Sequence, residues 1–397
     1  MLNYILLVPC SISSFLFLPK PLDKAAAVSQ YTGVNGLKGC VSHVNQAHLS
    51  RKWVPNSRLR GKNSPCFDVV TYNILSDFFM DPDIGHNPNY PKEDLSRSKR
   101  EGQLLMELEN NKDTDVICLQ EVDPDYFIDK IEPLMKSYGF CGCYMPETCG
   151  IIDGLSTFYK TANFDLVTQK STTFNELLEK AIGRHPSVGS LCSAVTQHIQ
   201  SQAVVMYTKL RCKRTGKVVT VANIHGWYGN YRKMDVTVMQ ISTAIRELVE
   251  YAGSDSQSYI LCGDFNQEPK MPGYKVTQNG QLDPCEKEEL RKYPKVSVNV
   301  NQDINLIDVV PKCFEHSAAS IRSSYKEIMG KEPDITCCPD NADDQATLDY
   351  IWYDSNSMDC HEVLDVVSTD VLKSLKWCPN PVFPSDHLLM RAKFSFR

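Results

Sequence analysis

Several signatures that would declare a function at once are missing from these 397 residues. There is no Gly-x-Ser-x-Gly elbow to present a serine nucleophile, and no Walker loop to cradle a nucleoside triphosphate. His-Glu-x-x-His and His-x-x-Glu-His are both absent, so the usual helical zinc patterns are excluded. The 16 cysteines form no Cys-x-x-Cys pair, and Cys141-Gly142-Cys143 and Cys337-Cys338 have the wrong spacing for a zinc knuckle. No Asn-x-Ser/Thr glycosylation acceptor occurs. Cys118 and Cys262 lie inside apolar runs, where cysteine acts as a small hydrophobe. These features point to an intracellular, reducing compartment rather than to a disulfide-built secreted protein. No internal repeat is visible.

Acids are nearly absent from one end. Before Cys66, eight lysines and arginines face a single acid, Asp23, a surplus of seven. The formal charge of −6 therefore leaves −13 for residues 66–397. A body this acidic lacks the wide basic face that sequence-blind binding of long duplexes needs, but a small substrate held by a metal and a few cations stays open. Residues 1–19 are apolar yet too short and interrupted for a membrane span. No Lys or Arg precedes Lys20, so a secretory signal's charged start is missing. The stretch is acid-poor and contains serine, as a mitochondrial transit segment would, but its first arginine is Arg51. Mitochondrial and cytoplasmic locations both remain. Residues 1–65 read as a leader or linker, possibly a targeting segment, and 66–397 as one catalytic domain.

What is present is an irregular alternation of buried strands and helices. Strands are expected at 67–75, 115–122, 153–160, 203–208, 218–225, 258–262, 346–353 and 388–396. Helical periodicity covers 97–110, 127–138 and 234–252, and 171–200 reads as helical and polar. Residues 269–303 look loop-rich. The mixture predicts stacked mixed sheets flanked by helices, an α/β sandwich rather than a strict parallel barrel.

The strand ends carry the chemistry. Asn73, Glu121, His225, Asp264 with Asn266, and Asp386 with His387 all stand at strand termini, and Asp349 lies inside a further apolar run. Gly263-Asp264-Phe265-Asn266 alone reads more readily as a Gly-Asp turn capped by Asn266. Six such positions in one chain suit a site assembled where sheet ends meet. Together they fit phosphodiester hydrolysis. Glu121, with amide oxygens of Asn73 and Asn266, suits Mg²⁺ and the waters it keeps. Asp264 can serve as general base, touch the metal, or do both. His387 can donate to a phosphate oxygen if Asp349 holds it protonated. Asn223 and His225 share a strand face and could bind the phosphate, and Trp227, Tyr228 or Tyr231 could stack on a base.

These runs resemble the endonuclease/exonuclease/phosphatase superfamily. The matching segments are Thr71 to Leu75, Leu119 to Val122, Ala222 to His225, Gly263 to Asn266, Leu348 to Ile351 and Ser385 to His387, in the family's order. The resemblance implies a four-layer, DNase I-like sandwich of two mixed sheets flanked by helices. It implies a metal (Mg²⁺, with Mn²⁺ an alternative) at Glu121, for which Asn73, Asp264, Asn266 and Asp386 are the further candidate ligands. It also implies a water activated by Asp264, a phosphate held by Asn266 and His225, and an Asp349–His387 pair. Within the superfamily the chain is most similar to the deadenylase group. Val116 to Asp123 and Gly154 to Lys160 resemble the mitochondrial 2′,5′-phosphodiesterases most, with nocturnin and the Angel proteins as near alternatives. The implied substrates are 2′,5′-oligoadenylate or RNA 3′ ends, and the alternative is a small phosphoester such as a dinucleotide phosphate or a phospholipid head group. A non-catalytic RNA- or protein-binding relative is a further alternative. Two positions depart from the group: Asn230 stands where a proline packs on adenine, and Asp343-Asp344-Gln345 replace an aromatic before Leu348.

Overall fold

The computed structural model describes residues 51–397, apart from 60, 62–63, 81–96, 148–152, 184–192, 202, 228–232, 254–257, 294, 300–301 and 340–344. Its strands in chain order are β1 (Trp53–Pro55), β2 (Cys66–Asn73), β3 (Val116–Gln120), β4 (Phe140–Pro146), β5 (Gly154–Lys160), β6 (Phe164–Thr173), β7 (Val204–Cys212) and β8 (Val218–His225). They continue with β9 (Tyr259–Asp264), β10 (Val296–Asn299), β11 (Gln302–Ile304), β12 (Ile321–Ser323), β13 (Asp349–Asp354), β14 (Met358–Leu364) and β15 (Met390–Phe396). One sheet runs β1-β14-β15-β2-β3-β5-β4 and the other β12-β13-β9-β8-β7-β6; β10 and β11 form a separate hairpin. At each sheet's centre is one parallel pair, β2–β3 and β8–β9, while the flanking pairs are antiparallel.

Period-2 alternation builds the layers. On the inner faces, Phe67, Val69, Val116 and Cys118 of one sheet pack against Val219, Val221, Ile260, Cys262 and Ile351 of the other. The outward residues Val70, Tyr72, Ile117 and Leu119 bury the helix Arg97–Asn110, through Leu104 and Leu108, and the helical stretch 124–137. On the far side, Ala222, Ile224, Leu261, Tyr350 and Trp352 pack under the helix Met234–Ala252 and under Tyr274 and Val276 of Pro272–Asn279. Helix, sheet, sheet, helix is the four-layer order expected.

Three expectations change. Residues 269–303, read as loop, contain the helices Pro272–Asn279 and Pro284–Arg291 and the β10–β11 hairpin. The second helix has a full capping box, Asp283 with Glu286, and proline at its first turn, a local signal hidden in a charged stretch. The 171–200 region is the end of a long strand followed by two short helices, Phe174–Gly183 and Ser193–Ile199. Residues 51–65 are not all linker: β1 pairs with β14, and Arg51 Nε donates to Asp365 O at 2.6 Å. A three-residue edge strand is too short for its own periodicity to show. Residues 1–50 lie outside the described residues. No helix among the described residues is long and apolar enough to cross a membrane.

Candidate active site

Follow the inner faces along the strands and their chemistry switches. β2 reads Phe67, Val69, Thr71, Asn73; β8 reads Val219, Val221, Asn223, His225; β9 reads Ile260, Cys262, Asp264. The antiparallel neighbour β13 runs the other way and starts on its polar residue, Asp349. All polar ends therefore fall at one edge of the sandwich. Register makes the alignment tight: Asp264 is directly beside His225 on one side and directly opposite Asp349 on the other. Two acids opposite each other repel. His387 relieves this, with Nδ1 2.8 Å from Asp349 Oδ2 and Nε2 3.6 Å from Asp264 Oδ2.

Asp264 is the hub. Its Oδ1 accepts the backbone N–H of Asn266 at 2.8 Å. Its Oδ2 lies 3.1 Å from Asn73 Nδ2 and 3.7 Å from His225 Nε2. The turn reading of this segment is thus realised on Oδ1, while Oδ2 is turned toward the Asn73 amide and the imidazoles. Gly263 makes the approach possible: it has φ 143°, and a Cβ there would lie 1.9 Å from Ile224 O. Glu121 and Asn266 have φ of 54° and 49°, and Leu75, just past Asn73, has 61°. Left-handed non-glycine residues are uncommon and cluster at functional sites. At Glu121 and Asn266 the side chain is tied, and at Leu75 the backbone is, its N–H donating to Asn73 Oδ1. Glu121 Oε1 accepts from Asn73 Nδ2 at 2.8 Å and Oε2 from Ser76 N at 3.0 Å. Asn266 Nδ2 donates to Gly226 O at 2.8 Å.

Burial and charge set the protonation states. Burial raises the Asp264 pKa, against which His387 and His225 pull down while Asp349 pushes up. Burial opposes charge on His387, yet the Asp349 carboxylate outweighs it and holds the imidazole protonated. His225 likewise loses solvation but is raised to about 10 by Glu147, Asp264 and Glu121. Burial lifts Asp386 to about 6.

Most of the expected site residues converge: Glu121, His225, Asp264, Asn266, Asp349 and His387. Three take other roles. Asn223 is fully buried and committed, donating to Leu119 O at 3.1 Å and Ser156 O at 3.0 Å and accepting from Gln120 Nε2 at 2.7 Å. It ties the two sheets together and has no free group for a phosphate. Asn73 turns its oxygen to Leu75 N, at 3.1 Å, and its N–H groups to the carboxylates, so it braces Glu121 and Asp264 rather than offering a metal ligand. Asp386 groups with Cys337 and His387, while the Glu121 charge also acts on it. Trp227 is half-buried beside the site with the Lys233 ammonium 4.8 Å over its ring. Tyr228, Asn230, Tyr231, Asp343 and Asp344 lie outside the described residues.

Periodicity missed several contributors. Glu147, just past β4, reaches His225 Nδ1 at 3.3 Å. Asp153, leading into β5, is buried near both, and burial with the Glu147 charge raises it to about 8. Ser385 Oγ donates to Asn73 O at 2.7 Å and accepts from His387 N at 3.1 Å. Arg100 is buried and donates to Ile74 O, Leu75 O and Pro384 O, fastening the loops that carry Asn73 and His387. Neither a lone glutamate beyond a strand nor one arginine among a helix's charges stands out in a sequence.

The donor set fits a divalent cation. Ligand atoms of Glu121, His225 and Asp264 lie within 4.8 Å of one another. The carboxylates of Glu121, Asp264, Asp349 and Asp386 outnumber the two imidazoles, so negative charge remains even with both protonated. Hard carboxylate oxygens around such a surplus suit a hard cation that keeps several waters.

Comparison with known proteins agrees with this geometry. The endonuclease/exonuclease/phosphatase family profile matches residues 70–387. The chain is 25% identical over 354 residues to Carbon catabolite repressor protein 4 homolog 1 of Arabidopsis thaliana, covering 83% of this chain and 57% of that one. It is 24% identical over 419 residues to the CCR4-Not complex 3'-5'-exoribonuclease subunit Ccr4 of Neosartorya fischeri, covering 91% and 52%. It thus spans little more than half the length of these relatives. Among solved structures, ANGEL2, a 2',3'-cyclic phosphatase, in complex with adenosine-2',3'-vanadate superposes with a TM-score of 0.68 at 24% identity, over 87% of this chain and 99% of that one. The human Nocturnin catalytic domain with bound sulfate gives 0.56 at 22% identity, over 88% and 98%. Both likenesses are of fold.

Proposed function

This chain belongs to the endonuclease/exonuclease/phosphatase family, and from that premise we propose that it is a metal-dependent phosphodiesterase that removes adenylates from RNA 3′ ends or from 2′,5′-oligoadenylate. The observation that carries the reading is the row His225, Asp264, Asp349 across three adjacent strands, closed by His387 and faced by Glu121. Such an arrangement has a base, two cationic donors and a metal ligand around one point.

Mg²⁺ or Mn²⁺ held by Glu121 and Asp264 would supply Lewis acidity to the phosphate and to the attacking water. Asp264 Oδ2 takes the water's proton, and its raised pKa makes it the better acceptor. His387 donates from Nε2 to a phosphate oxygen as negative charge builds, with Asp349 fixing its ring through Nδ1. His225 serves from the other side, fixed by Glu147. Asn266 keeps a second amide proton for the phosphate, because only one is committed to Gly226. Trp227 offers an indole for base stacking. The Ccr4 relative's name supports an RNA 3′ end as substrate. A cytoplasmic or mitochondrial location accords with the thiols, since the twelve described cysteines are free.

The test is a Mg²⁺-dependent digestion of 2′,5′-triadenylate, 3′,5′-oligo(A) and 3′,5′-oligo(U), with chelator and Asp264→Ala controls. Preferential loss of adenylates that both controls abolish supports the proposal and ranks the two linkages. If no oligonucleotide is cut while dinucleotide phosphates or other small phosphoesters are, the substrate assignment falls.

A further inference from the structure

One thiol at the cleft has no part in the hydrolysis described above. Cys337 stands directly opposite His387 in an antiparallel bridge. The flanking bonds, Leu388 N to Thr336 O at 2.8 Å and Cys338 N to Asp386 O at 2.7 Å, lock that register. Directly opposed residues in an antiparallel pair point their side chains to the same face, a few ångströms apart. The Cys337 thiol accordingly meets the imidazole, and the Asp386 carboxylate completes the group. One ligand atom from each of Cys337, Asp386 and His387 lies within 4.8 Å of the others. Cys337 is 6% exposed and His387 6%.

We propose that Cys337, Asp386 and His387 form a site for a zinc-class cation, adjoining the hard-cation site at Glu121 and Asp264 and set apart from it by the Cys337 sulfur, and that its occupation switches the enzyme off. Three observations carry this. First, the donors are one sulfur, one nitrogen and one oxygen, which suit a borderline-soft ion such as Zn²⁺ and not Mg²⁺. Second, His387 Nδ1 is already held by Asp349 at 2.8 Å, which leaves Nε2 as the free ligand. A carboxylate on the far nitrogen is the usual support of a zinc-bound histidine. Third, three protein ligands leave a fourth position open, and Asp264 Oδ2 lies 3.6 Å from the same Nε2. As the Zn–S and Zn–N bonds form, the Cys337 S–H proton and the Nε2 proton of the His387 imidazolium both leave to solvent, while Asp349 keeps the proton on Nδ1. The ion takes the nitrogen that would otherwise donate to the phosphate. Only the inhibitory consequence rests on the hydrolytic reading; the binding site stands on the donors alone.

The experiment uses the full chain loaded with Co²⁺ in place of Zn²⁺, with Cys337→Ser, Cys338→Ser, Asp386→Asn and Glu121→Gln variants. A thiolate-to-cobalt charge-transfer band is expected in the wild type, in Cys338→Ser and in Glu121→Gln, and not in Cys337→Ser. Asp386→Asn keeps the sulfur, so it is expected to keep the band while its zinc affinity falls about tenfold or more; this arm holds even if Cys337→Ser does not fold. In parallel, Zn²⁺ inhibition of oligonucleotide cleavage is measured against each variant's own rate in Mg²⁺. The inhibition constant is expected to rise at least about tenfold in Cys337→Ser. No band in the wild type, a band that survives Cys337→Ser, or equal zinc inhibition in wild type and Cys337→Ser overturns the proposal. A chain that shows the band but cuts no oligonucleotide would instead count against the proposed function alone.

Discussion

The two ends of the cleft between the sheets are built from the same strands and do opposite things. At one end Val69, Val221, Ile260 and Ile351 pack with no accessible surface. A few residues along the same faces stand Asn73, His225, Asp264 and Asp349, where like charges are forced together and backbones turn left-handed. The apolar end makes the two sheets one body through burial that strengthens roughly with area. The polar end spends some of that stability to hold carboxylates nearer than they would choose to be. Rigidity comes from one end and reactivity from the other, and Asn223 with Gln120 is the seam between them.

The largest break should come at the polar end. Asp264→Ala is expected to lower the rate about a thousandfold or more while leaving the melting temperature unchanged or raised, because a buried repulsion is removed. Calorimetry beside a rate assay checks both halves; a large fall in stability would mean that Asp264 is structural. Two turns of the pleat away, Ile260→Ala should do the reverse. A loss of about 2–5 kcal/mol in unfolding free energy is expected, with the rate per folded molecule kept.

A buried histidine outside the cleft sharpens the contrast. His316 Nε2 donates to Val276 O at 2.9 Å, and its Nδ1 accepts from Ala318 N at 3.2 Å, so the ring is held neutral where the cleft holds its rings charged. Burial lowers its pKa from 6.5 to about 4. The unfolded chain therefore binds a proton below about pH 6.5 that the folded chain refuses until about 4. Stability is then full above that window and falls through it on acidification, by on the order of 3 kcal/mol for this group. Denaturation between pH 7 and 4 should show a shallower loss in His316→Gln, which can keep both hydrogen bonds; equal slopes would refute the assignment.

The smallest effect tests how His225 is held. Glu147→Ala should cost about 10–100-fold in kcat, with Glu147→Gln recovering part of it through the remaining oxygen. A change confined to KM would place Glu147 on the substrate instead.

Legibility in the sequence follows the same division. The long elements announced themselves because they run far enough for a buried face to repeat: Val218–His225, Met234–Ala252 and Arg97–Asn110 lie where periodicity puts them. Short edge strands such as β1 and β12 did not, since three residues carry no period. Polar residues at strand ends marked Glu121, His225, Asp264, Asp349 and His387, and their order along the chain matched a family pattern.

The sequence by itself determined which side chains could do chemistry and that they would sit at strand ends, because alternation and chain order are local properties. Which of them work together was decided only by the tertiary structure. Register set Asp264 between His225 and Asp349, and packing of one sheet on the other turned Asn223 from a candidate phosphate ligand into a tie. The Cys337–His387 bridge brought a thiol to the cleft from fifty positions away along the chain. Contacts between distant segments depend on how two faces dock, and no spacing along one strand encodes that.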